Sequence, residues 1–385
     1  MNKASTRLNP SKLTIEPTTR CNFSCVMCVK QAPGNEIENG DLSFNTFTQL
    51  KSVFSGLKNL VFSGIGEPLL HPELEKFVGF AKKRMPEEGR IGLQTNGNLL
   101  DESRLESLLN SGLDEICVSL DAVSAESFKQ IRAGGELGDI EKAFATLKRA
   151  KSMRGQDSFR FGIEFVLMKQ NFRDLPQAVQ WAAENGASFA IVSNLVAYHQ
   201  AAESECMYSP NTNLSLNFYL EWKEKAAALN LDLDSYLKQR WKYHWKYQKT
   251  PEEQALSDFG KEMLKEAYTR QIPLNLSNLM GEDTSLLAET EALFGEAIKI
   301  SEKSGLELTL PELYPKFERQ CHFVEEGSSF VSWKGEVFPC YFLWHQYSFF
   351  QNGRRVKVTA KSFGDLQQQG MEQIWTSTEF TTFRE

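Results

Sequence analysis

The chain has 385 residues, of which 43 are Lys or Arg and 50 are Asp or Glu, so its formal net charge is −7. Its 41% hydrophobic and 24% charged residues exclude a disordered chain, a collagen and a coiled coil. The acidic balance argues against nonspecific binding to nucleic acid or to a membrane. No window has the roughly 18 apolar residues of a membrane span, and the N-terminus lacks the apolar segment of a secretory signal. We therefore expect a cytoplasmic protein.

The first half of the chain alternates short apolar runs with amphipathic segments. The predicted strands are Leu13–Glu16, Leu60–Ser63, Ile91–Thr95, Glu115–Leu120, Phe161–Leu167 and Phe189–Ser193. Several are almost continuously apolar, which predicts a parallel sheet buried on both faces. The predicted helices between them are Phe44–Phe54, Pro72–Lys83, Glu102–Leu109, Ile140–Lys151 and Leu175–Glu184. Six strand–helix repeats indicate an α/β barrel or a doubly wound sheet.

The pattern of apolar and polar residues changes twice after the first half of the chain. A helix-rich, strand-poor stretch comes first, and glycine-punctuated aromatic strands begin at Cys321. We predict a strand–helix core over residues 1–204, a helical insertion over 205–285 and a small C-terminal domain over 286–385.

The insertion contains a basic, aromatic segment at residues 236–249. Leu237, Trp241 and Trp245 are spaced four residues apart in it, so they form one stripe of a helix. We interpret this stripe as core packing, in preference to a peptide groove or a nucleic-acid surface.

Cysteine usage is the most informative feature of the composition. There are seven cysteines, and Cys21, Cys25 and Cys28 lie within eight residues directly after the first predicted strand. An odd count in a long chain argues against a disulfide scaffold. Three thiolates on one loop suit three corners of a cubic iron–sulfur cluster and leave its fourth iron open. A zinc site is the alternative, but structural zinc normally takes four ligands in two separated pairs.

The CxxxCxxC spacing of Cys21, Cys25 and Cys28 resembles the radical S-adenosylmethionine (SAM) superfamily. In that superfamily the fourth iron is chelated by SAM, and reduction of the cluster cleaves SAM to a 5′-deoxyadenosyl radical that abstracts a substrate hydrogen. The resemblance implies a [4Fe-4S] cluster, SAM and an external electron donor of the flavodoxin or ferredoxin type. From the acidic balance we expect no nucleic-acid or membrane partner. The resemblance also implies the fold, a partial (β/α)6 TIM-type barrel with active-site residues at the C-terminal ends of its strands.

The segment after the second strand is similar to the GGEP segment of this family. It reads Ser63-Gly64-Ile65-Gly66-Glu67-Pro68, with an isoleucine between the two glycines. Gly64 and Gly66 allow close approach of backbone to a ligand, and Glu67 suits a charge-assisted hydrogen bond from the SAM ammonium. Taken alone, the segment also fits an ordinary turn between a strand and a helix.

Further residues at strand ends extend the resemblance. Asn96 lies in a Thr-Asn-Gly segment like that of the family, and the resemblance implies that Ser119 and Arg132 hold the ribose and carboxylate of SAM. A solvated helix-end arginine is the alternative for Arg132. Asp121 belongs to the SAM site or caps the next helix. Asn194 ends the sixth strand and is an expected adenosine contact.

The C-terminal region resembles the opening of a SPASM/twitch domain, which binds auxiliary iron–sulfur clusters. Cys321 is followed after thirteen residues by Gly335 and after four more by Cys340, a spacing that places the glycine in a hairpin turn. No cysteine follows Cys340, so we expect one auxiliary cluster at most, and a degenerate domain without a cluster is the alternative. Candidates for a further ligand are Cys206, which we favour, and Cys117, His322 and His345, of which Cys117 and His345 fit core residues better.

The C-terminal pattern most resembles SPASM proteins of the metalloenzyme-maturase and peptide-modifying branch. This implies hydrogen abstraction from a peptide or protein side chain. One alternative is a small-molecule dehydrogenase or cofactor-biosynthesis enzyme. Another is a noncatalytic iron–sulfur assembly or electron-transfer protein, which we disfavour because electron transfer alone needs no SAM pocket.

Overall fold

A computed structural model describes residues 8–35, 37–154, 159–316 and 320–385. The strands are β1 (Lys12–Ile15), β2 (Asn59–Phe62), β3 (Arg90–Thr95), β4 (Glu115–Ser119), β5 (Arg160–Leu167), β6 (Phe189–Asn194), β7 (Glu307–Thr309), β8 (Ser328–Val331), β9 (Glu336–Phe338), β10 (Tyr347–Gln351), β11 (Arg354–Val358) and β12 (Gly364–Asp365).

The helices alternate with these strands in the first half of the chain and dominate its middle. They are α1 (Phe44–Thr48), α2 (Leu74–Lys82), α3 (Glu102–Ser111), α4 (Ala125–Ile131), α5 (Leu137–Arg154), α6 (Leu175–Glu184), α7 (Gln200–Glu203), α8 (Asn213–Ala228), α9 (Leu233–Trp245), α10 (Pro251–Thr269), α11 (Leu276–Met280), α12 (Thr284–Ser304), α13 (His322–Glu326), α14 (Met371–Thr376) and α15 (Thr378–Arg384). Within the described residues, no helix combines the length and the apolarity needed to cross a membrane.

The strands β1 to β6 form a parallel sheet in chain order, each hydrogen-bonded to the next. The predicted six strand–helix repeats are thereby confirmed. Two further elements extend the sheet: β7 pairs with β6 at one edge, and β8 pairs in parallel with β1 at the other. The hairpin strands β9 and β12 continue the sheet beyond β8 in antiparallel pairing.

Side chains alternate between the two faces of the barrel sheet. Leu93 and Ile163 are fully buried on the side of the helices, whereas their chain neighbours Gln94 and Glu164 line a pocket on the opposite face. The predicted parallel sheet is confirmed, and its inner face is partly buried and carries polar side chains such as Gln94 and Glu164. Successive side chains of a strand point to opposite faces, so every second residue faces the interior of the partial barrel, and several of these residues are polar.

The predicted helix over 44–54 is shorter in the structure. Helix α1 begins after Ser43, whose side chain accepts a hydrogen bond from the Thr46 N–H, and ends at Thr48. The chain then continues in turns with hydrogen bonds between residues three apart, which still bury Leu50 and Val53 completely. The apolar pattern thus marked burial correctly while the backbone wound more tightly than an α-helix.

Contacts within the chain divide it into two units. The first comprises the described residues of Met1–Cys206, Thr290–Pro311 and Gln320–Glu385, and the second those of Met207–Glu289 and Glu312–Arg319. Of the predicted helical insertion, residues 207–285 lie in the second unit. Of the predicted C-terminal domain, residues 290–311 and 320–385 lie in the first unit, where β7 and β8 add to the two edges of the barrel sheet, and residues 286–289 and 312–316 lie in the second. The bounds of the three domains stay a prediction.

The second unit has its own apolar core, built around residues such as Tyr219, Trp222 and Met263. Helix α9 contributes the buried Leu237 to this core, but Trp241 is 67% exposed and Trp245 is 79% exposed. The prediction that all three residues of the stripe pack in the core is therefore wrong. The helix is kinked at Gln239 (φ −117°, ψ 17°), so the second half of the stripe leaves the direction of the first.

Candidate functional site

The cysteine loop follows β1 and forms one wall of a pocket at the C-terminal ends of the barrel strands. Cys21, Cys25 and Cys28 all line this pocket, and each thiol is partly exposed. The loop is held against the connection between α4 and α5, because two of its backbone N–H groups donate to the carbonyls of residues 131 and 133, at 3.0 and 2.7 Å. The structure therefore presents the three thiols to one space.

The chemistry of these donors fits an iron–sulfur cluster. Burial raises the pKa of all three thiols, that of Cys25 to about 11, and the Arg132 guanidinium opposes this shift. Arg132 Nη1 donates to the Cys25 Sγ at 3.7 Å. In the described residues no three Cys, His, Asp or Glu side chains converge on a point that would hold a single metal ion. Three soft ligands beside a cation suit three separate irons of a cubic cluster, and metal binding displaces their protons.

The guanidinium of Arg132 is buried and forms an ion pair with the carboxylate of Asp121. Its Nε donates to Asp121 Oδ2 at 2.5 Å, and the two side chains are 10% and 0% exposed. Burial alone would lower the pKa of the guanidinium, but Asp121 and then Cys25 raise it above its ordinary value. Asp121 Oδ1 also accepts from the Val166 N–H at 2.7 Å. The helix-cap alternative for Asp121 is wrong, because Ser124 caps α4.

Residues 63–67 line the same pocket as the three cysteines, and Glu67 joins this segment to the next loop. Glu67 is almost fully buried, and its Oε1 accepts from Leu69 N–H at 3.0 Å and Thr95 Oγ1 at 2.7 Å. Its Oε2 accepts from Asn96 N–H at 2.7 Å. Burial raises the pKa of Glu67, and these hydrogen bonds oppose the rise. The carboxylate thus fixes two pocket loops to each other, and a contact to the SAM ammonium stays a prediction.

The two glycines of this segment are required by packing within the chain. A Cβ on Gly64 would lie 2.7 Å from the Glu16 side chain, and a Cβ on Gly66 would lie 2.2 Å from the Thr18 carbonyl oxygen. Packing within the chain thus constrains both positions, and the close approach of their backbone to a ligand stays a prediction. Both glycines still line the pocket.

The other predicted cofactor residues divide into two groups. Asn96 and Ser119 line the pocket, as does Arg132, and Asn96 Nδ2 donates to Asn22 Oδ1 at 2.8 Å. Arg132 is 8% exposed, so the alternative of a solvated arginine is wrong. Asp121 and Asn194 form the second group, because neither is among the residues that line the pocket. Asp121 contacts Arg132, and Asn194 lies at the end of β6.

A polar network on the inner face of the barrel was missed by the sequence-based prediction. Gln94 Nε2 donates to Glu164 Oε2, Ser193 Oγ donates to Glu164 Oε1 at 3.2 Å, and Ser63 Oγ donates to Gln94 Oε1 at 2.9 Å. Burial raises the pKa of Glu164. Cys117 lies on the same face, paired with Gln94 across β3 and β4. The available signal was a polar residue at every second position of otherwise apolar strands.

The C-terminal cysteines flank a hairpin. Gly335 has φ +90° and donates its N–H to Ser332 O at 2.8 Å, so it occupies the turn between β8 and β9. Cys321 is exposed and Cys340 is buried. Burial raises the pKa of Cys340, and the charge of Cys321 adds to that rise. The two thiols are therefore electrostatic neighbours, and a shared cluster stays a prediction.

The further candidate ligands lie in different surroundings. Cys206 Sγ donates to the carbonyls of residues 195 and 202 at 3.9 and 3.7 Å, and its assignment as a ligand stays a prediction. The side chain of His322 is 84% exposed beside Glu325. Burial lowers the pKa of His345 to about 4, and its ring contacts those of Trp344 and Tyr347. His345 is thus placed as a packed histidine.

Two known families match this chain, one over the barrel with the cysteine loop and one over the C-terminal region. The model of the Radical SAM superfamily matches residues 15–182, and that of SPASM, an iron–sulfur cluster-binding domain, matches residues 321–385. The tungsten-containing aldehyde ferredoxin oxidoreductase cofactor-modifying protein of Pyrococcus furiosus is 27% identical over 379 residues. That match covers 97% of this chain and 82% of the relative.

Solved structures share the fold. SuiB of Streptococcus suis, bound to the precursor peptide SuiA, matches with a TM-score of 0.55 and 14% identity, over 100% of this chain and 68% of SuiB. The enzyme anSMEcpe, with bound SAM and the Cp18Cys peptide, matches with a TM-score of 0.50 and 16% identity, over 97% of this chain and 81% of that protein. At these identities the likeness concerns the fold.

Proposed function

This chain is a radical SAM enzyme with a C-terminal SPASM domain, and we propose that it abstracts a hydrogen atom from a side chain of a peptide or protein. When bound, the cluster and SAM supply a one-electron reduction that splits SAM into methionine and a radical able to take a hydrogen atom. The electron comes from an external donor of the flavodoxin or ferredoxin type. The hydrogen atom taken from the substrate would end in 5′-deoxyadenosine, and the unpaired electron would remain on the substrate side chain.

The observation that carries the proposal is the convergence of three thiols, a glycine-containing loop and a buried arginine on one pocket. Cys21, Cys25 and Cys28 line it together with residues 63–67, and Arg132 lies beside the Cys25 thiol. In our proposal the three thiolates hold the cluster, and the Arg132 guanidinium beside Cys25 holds the SAM carboxylate.

Three further groups of residues then serve SAM. We propose that Gly64 and Gly66 present backbone to it, that Glu67 keeps the two pocket loops at a constant separation, and that Asn96 and Ser119 offer hydrogen bonds from the ends of β3 and β4. Asp121 acts on SAM only through Arg132, whose orientation it sets.

The test is SAM cleavage by the reconstituted protein. We expect reduced, anaerobic protein incubated with SAM to form 5′-deoxyadenosine above the level of a Cys25→Ala variant, because that variant lacks one of the three proposed iron ligands. Equal amounts from the two proteins would contradict the enzymatic function.

The peptide class of substrate is supported by the shared fold of SuiB and anSMEcpe, both solved with a bound peptide. The second candidate substrate is an organic cofactor. It is favoured by the relative from Pyrococcus furiosus, which matches 97% of this chain and is a cofactor-modifying protein.

The two candidates differ in where the abstracted hydrogen originates. We would incubate the enzyme with a perdeuterated cell extract separated into a peptide and protein fraction and a small-molecule fraction. A peptide substrate predicts deuterium in 5′-deoxyadenosine with the first fraction only. Deuterium transfer from the small-molecule fraction alone would favour the cofactor and contradict our proposal.

A further inference from the structure

Ile65, the residue that separates the two glycines of the SAM-loop (Ser63–Glu67), contacts the C-terminal hairpin. Its half-buried side chain packs against an apolar cluster of Phe330, Phe338 and Trp344, all supplied by β8, β9 and the chain that follows them. The side chain of Ile65 therefore belongs to the packing of the C-terminal region, and the residue also lines the pocket.

A buried carboxylate joins the same two elements through their backbones. Glu16 is fully buried directly after β1, where its Oε1 accepts from the Ile65 N–H at 3.2 Å and its Oε2 accepts from the Trp333 N–H at 3.4 Å. The Glu16 N–H itself donates to Val331 O at 2.9 Å, in continuation of the pairing of β1 with β8. The same side chain occupies the space that a Cβ on Gly64 would need.

We infer that Glu16 and Ile65 are positioning residues through which the C-terminal hairpin holds the SAM-loop in its binding conformation. Neither residue acts on SAM by its own side chain. They act through the conformation of residues 64–67, which line the same pocket as the three cysteines. The inference rests on the proposed role of this loop in SAM binding. It makes the C-terminal domain a requirement for SAM affinity, apart from any cluster that the domain binds.

The test uses the reconstituted holoenzyme and measures SAM affinity by equilibrium dialysis without reductant. We expect Ile65→Ala to bind SAM about tenfold more weakly, because the free loop then has to be ordered on binding, at a cost on the order of that of fixing one residue. Glu16→Gln retains one acceptor for two N–H groups, so we expect about threefold weaker binding. The matched control is Ile298→Ala, which truncates an isoleucine that is 42% exposed on α12.

Two further readouts separate positioning from a general loss of structure. The KM for SAM in 5′-deoxyadenosine formation should rise in both variants, whereas the rate at saturating SAM stays within about twofold of wild type. Backbone amide exchange of residues 63–67 without SAM should become faster, and iron content should equal that of the control.

The inference would be overturned if Ile65→Ala and Glu16→Gln, both with normal iron content, bound SAM as tightly as the control and showed unchanged amide exchange in the loop. A fall in the saturated rate without a change in SAM affinity would also overturn it, since the residues would then act on a later step. If wild-type holoenzyme bound no SAM at all, the proposed function itself would fail, which is a distinguishable result.

Discussion

The buried ion pair between Asp121 and Arg132 permits a quantitative prediction. The substitution Asp121→Asn removes the negative charge from a pair whose side chains are 0% and 10% exposed, while the amide oxygen can still accept from the Val166 N–H. The guanidinium is then left buried without its counter-charge. Removing one partner of such a pair costs about 3–5 kcal/mol. This is a large share of the roughly 5–15 kcal/mol by which a domain is stable.

The chain offers a matched control in an exposed pair of the same type. Arg20 and Asp41 form a two-point contact, with Nε–Oδ1 at 3.0 Å and Nη2–Oδ2 at 2.8 Å, but their side chains are 42% and 36% exposed. An exposed pair contributes about 0.2–1 kcal/mol, because water screens both charges. We therefore expect Asp41→Asn to cost at least about 2 kcal/mol less than Asp121→Asn.

The measurement is urea unfolding of the metal-free protein, followed by circular dichroism under anaerobic conditions. Both variants are compared in the same metal-free state, since a bound cluster or SAM would add its own stabilisation. A difference below about 1 kcal/mol between the two variants would refute the reasoning. It would mean that the Arg132 charge is solvated or compensated by another group when Asp121 is neutral.

Three further predictions concern other parts of the chain. The double variant Trp241→Ala/Trp245→Ala should change the free energy of unfolding by less than about 1 kcal/mol, because both side chains are exposed. Trp222→Ala, in the core of the same unit, should lower the free energy of unfolding in urea by about 3–5 kcal/mol. Equal losses in the two variants would contradict the exposure of the two tryptophans on α9. Burial raises the pKa of Glu164 above its ordinary value of 4.5, so as pH rises this carboxyl ionises in the unfolded chain before it ionises in the folded protein. The free energy of unfolding therefore falls between about pH 4.5 and the pKa of Glu164 in the folded protein. In Glu164→Gln the melting temperature should fall less steeply over that window, and an unchanged slope would contradict the shift. In a variant whose three loop cysteines are alanine, we expect residual iron that Cys340→Ala removes, and iron that survives this substitution would contradict a C-terminal site.

Local periodicity predicted the barrel strands because each carries enough apolar residues for one buried face. All six begin and end within one residue of the prediction, and α6 has the predicted bounds. Periodicity could not predict which polar residues face inward. The inner network of Gln94 and Glu164 depends on strands that are 70 residues apart in the chain, and such a pairing has no local signature.

Within the site, the role of Asp121 was likewise only partly predictable from the sequence. Its position at the end of β4 marked it as a site residue, and an aspartate before a helix also suits a cap. Only the three-dimensional arrangement distinguishes these roles, because Arg132 follows eleven residues later and folds back over the carboxylate. Exposure of Trp241 and Trp245 was similarly beyond prediction, since the kink at Gln239 is not encoded by a proline or glycine.

The sequence by itself determined the six barrel strands in order and the position of the cysteine loop after β1, because these depend on residue type and short spacing. The tertiary structure decided what surrounds that loop. The pairing of β1 with β8 brings the C-terminal hairpin beside Glu16 and Ile65, more than 250 residues earlier in the chain. Such contacts form only when distant strands share a sheet edge, and the free energy that selects them comes from burial of the whole unit.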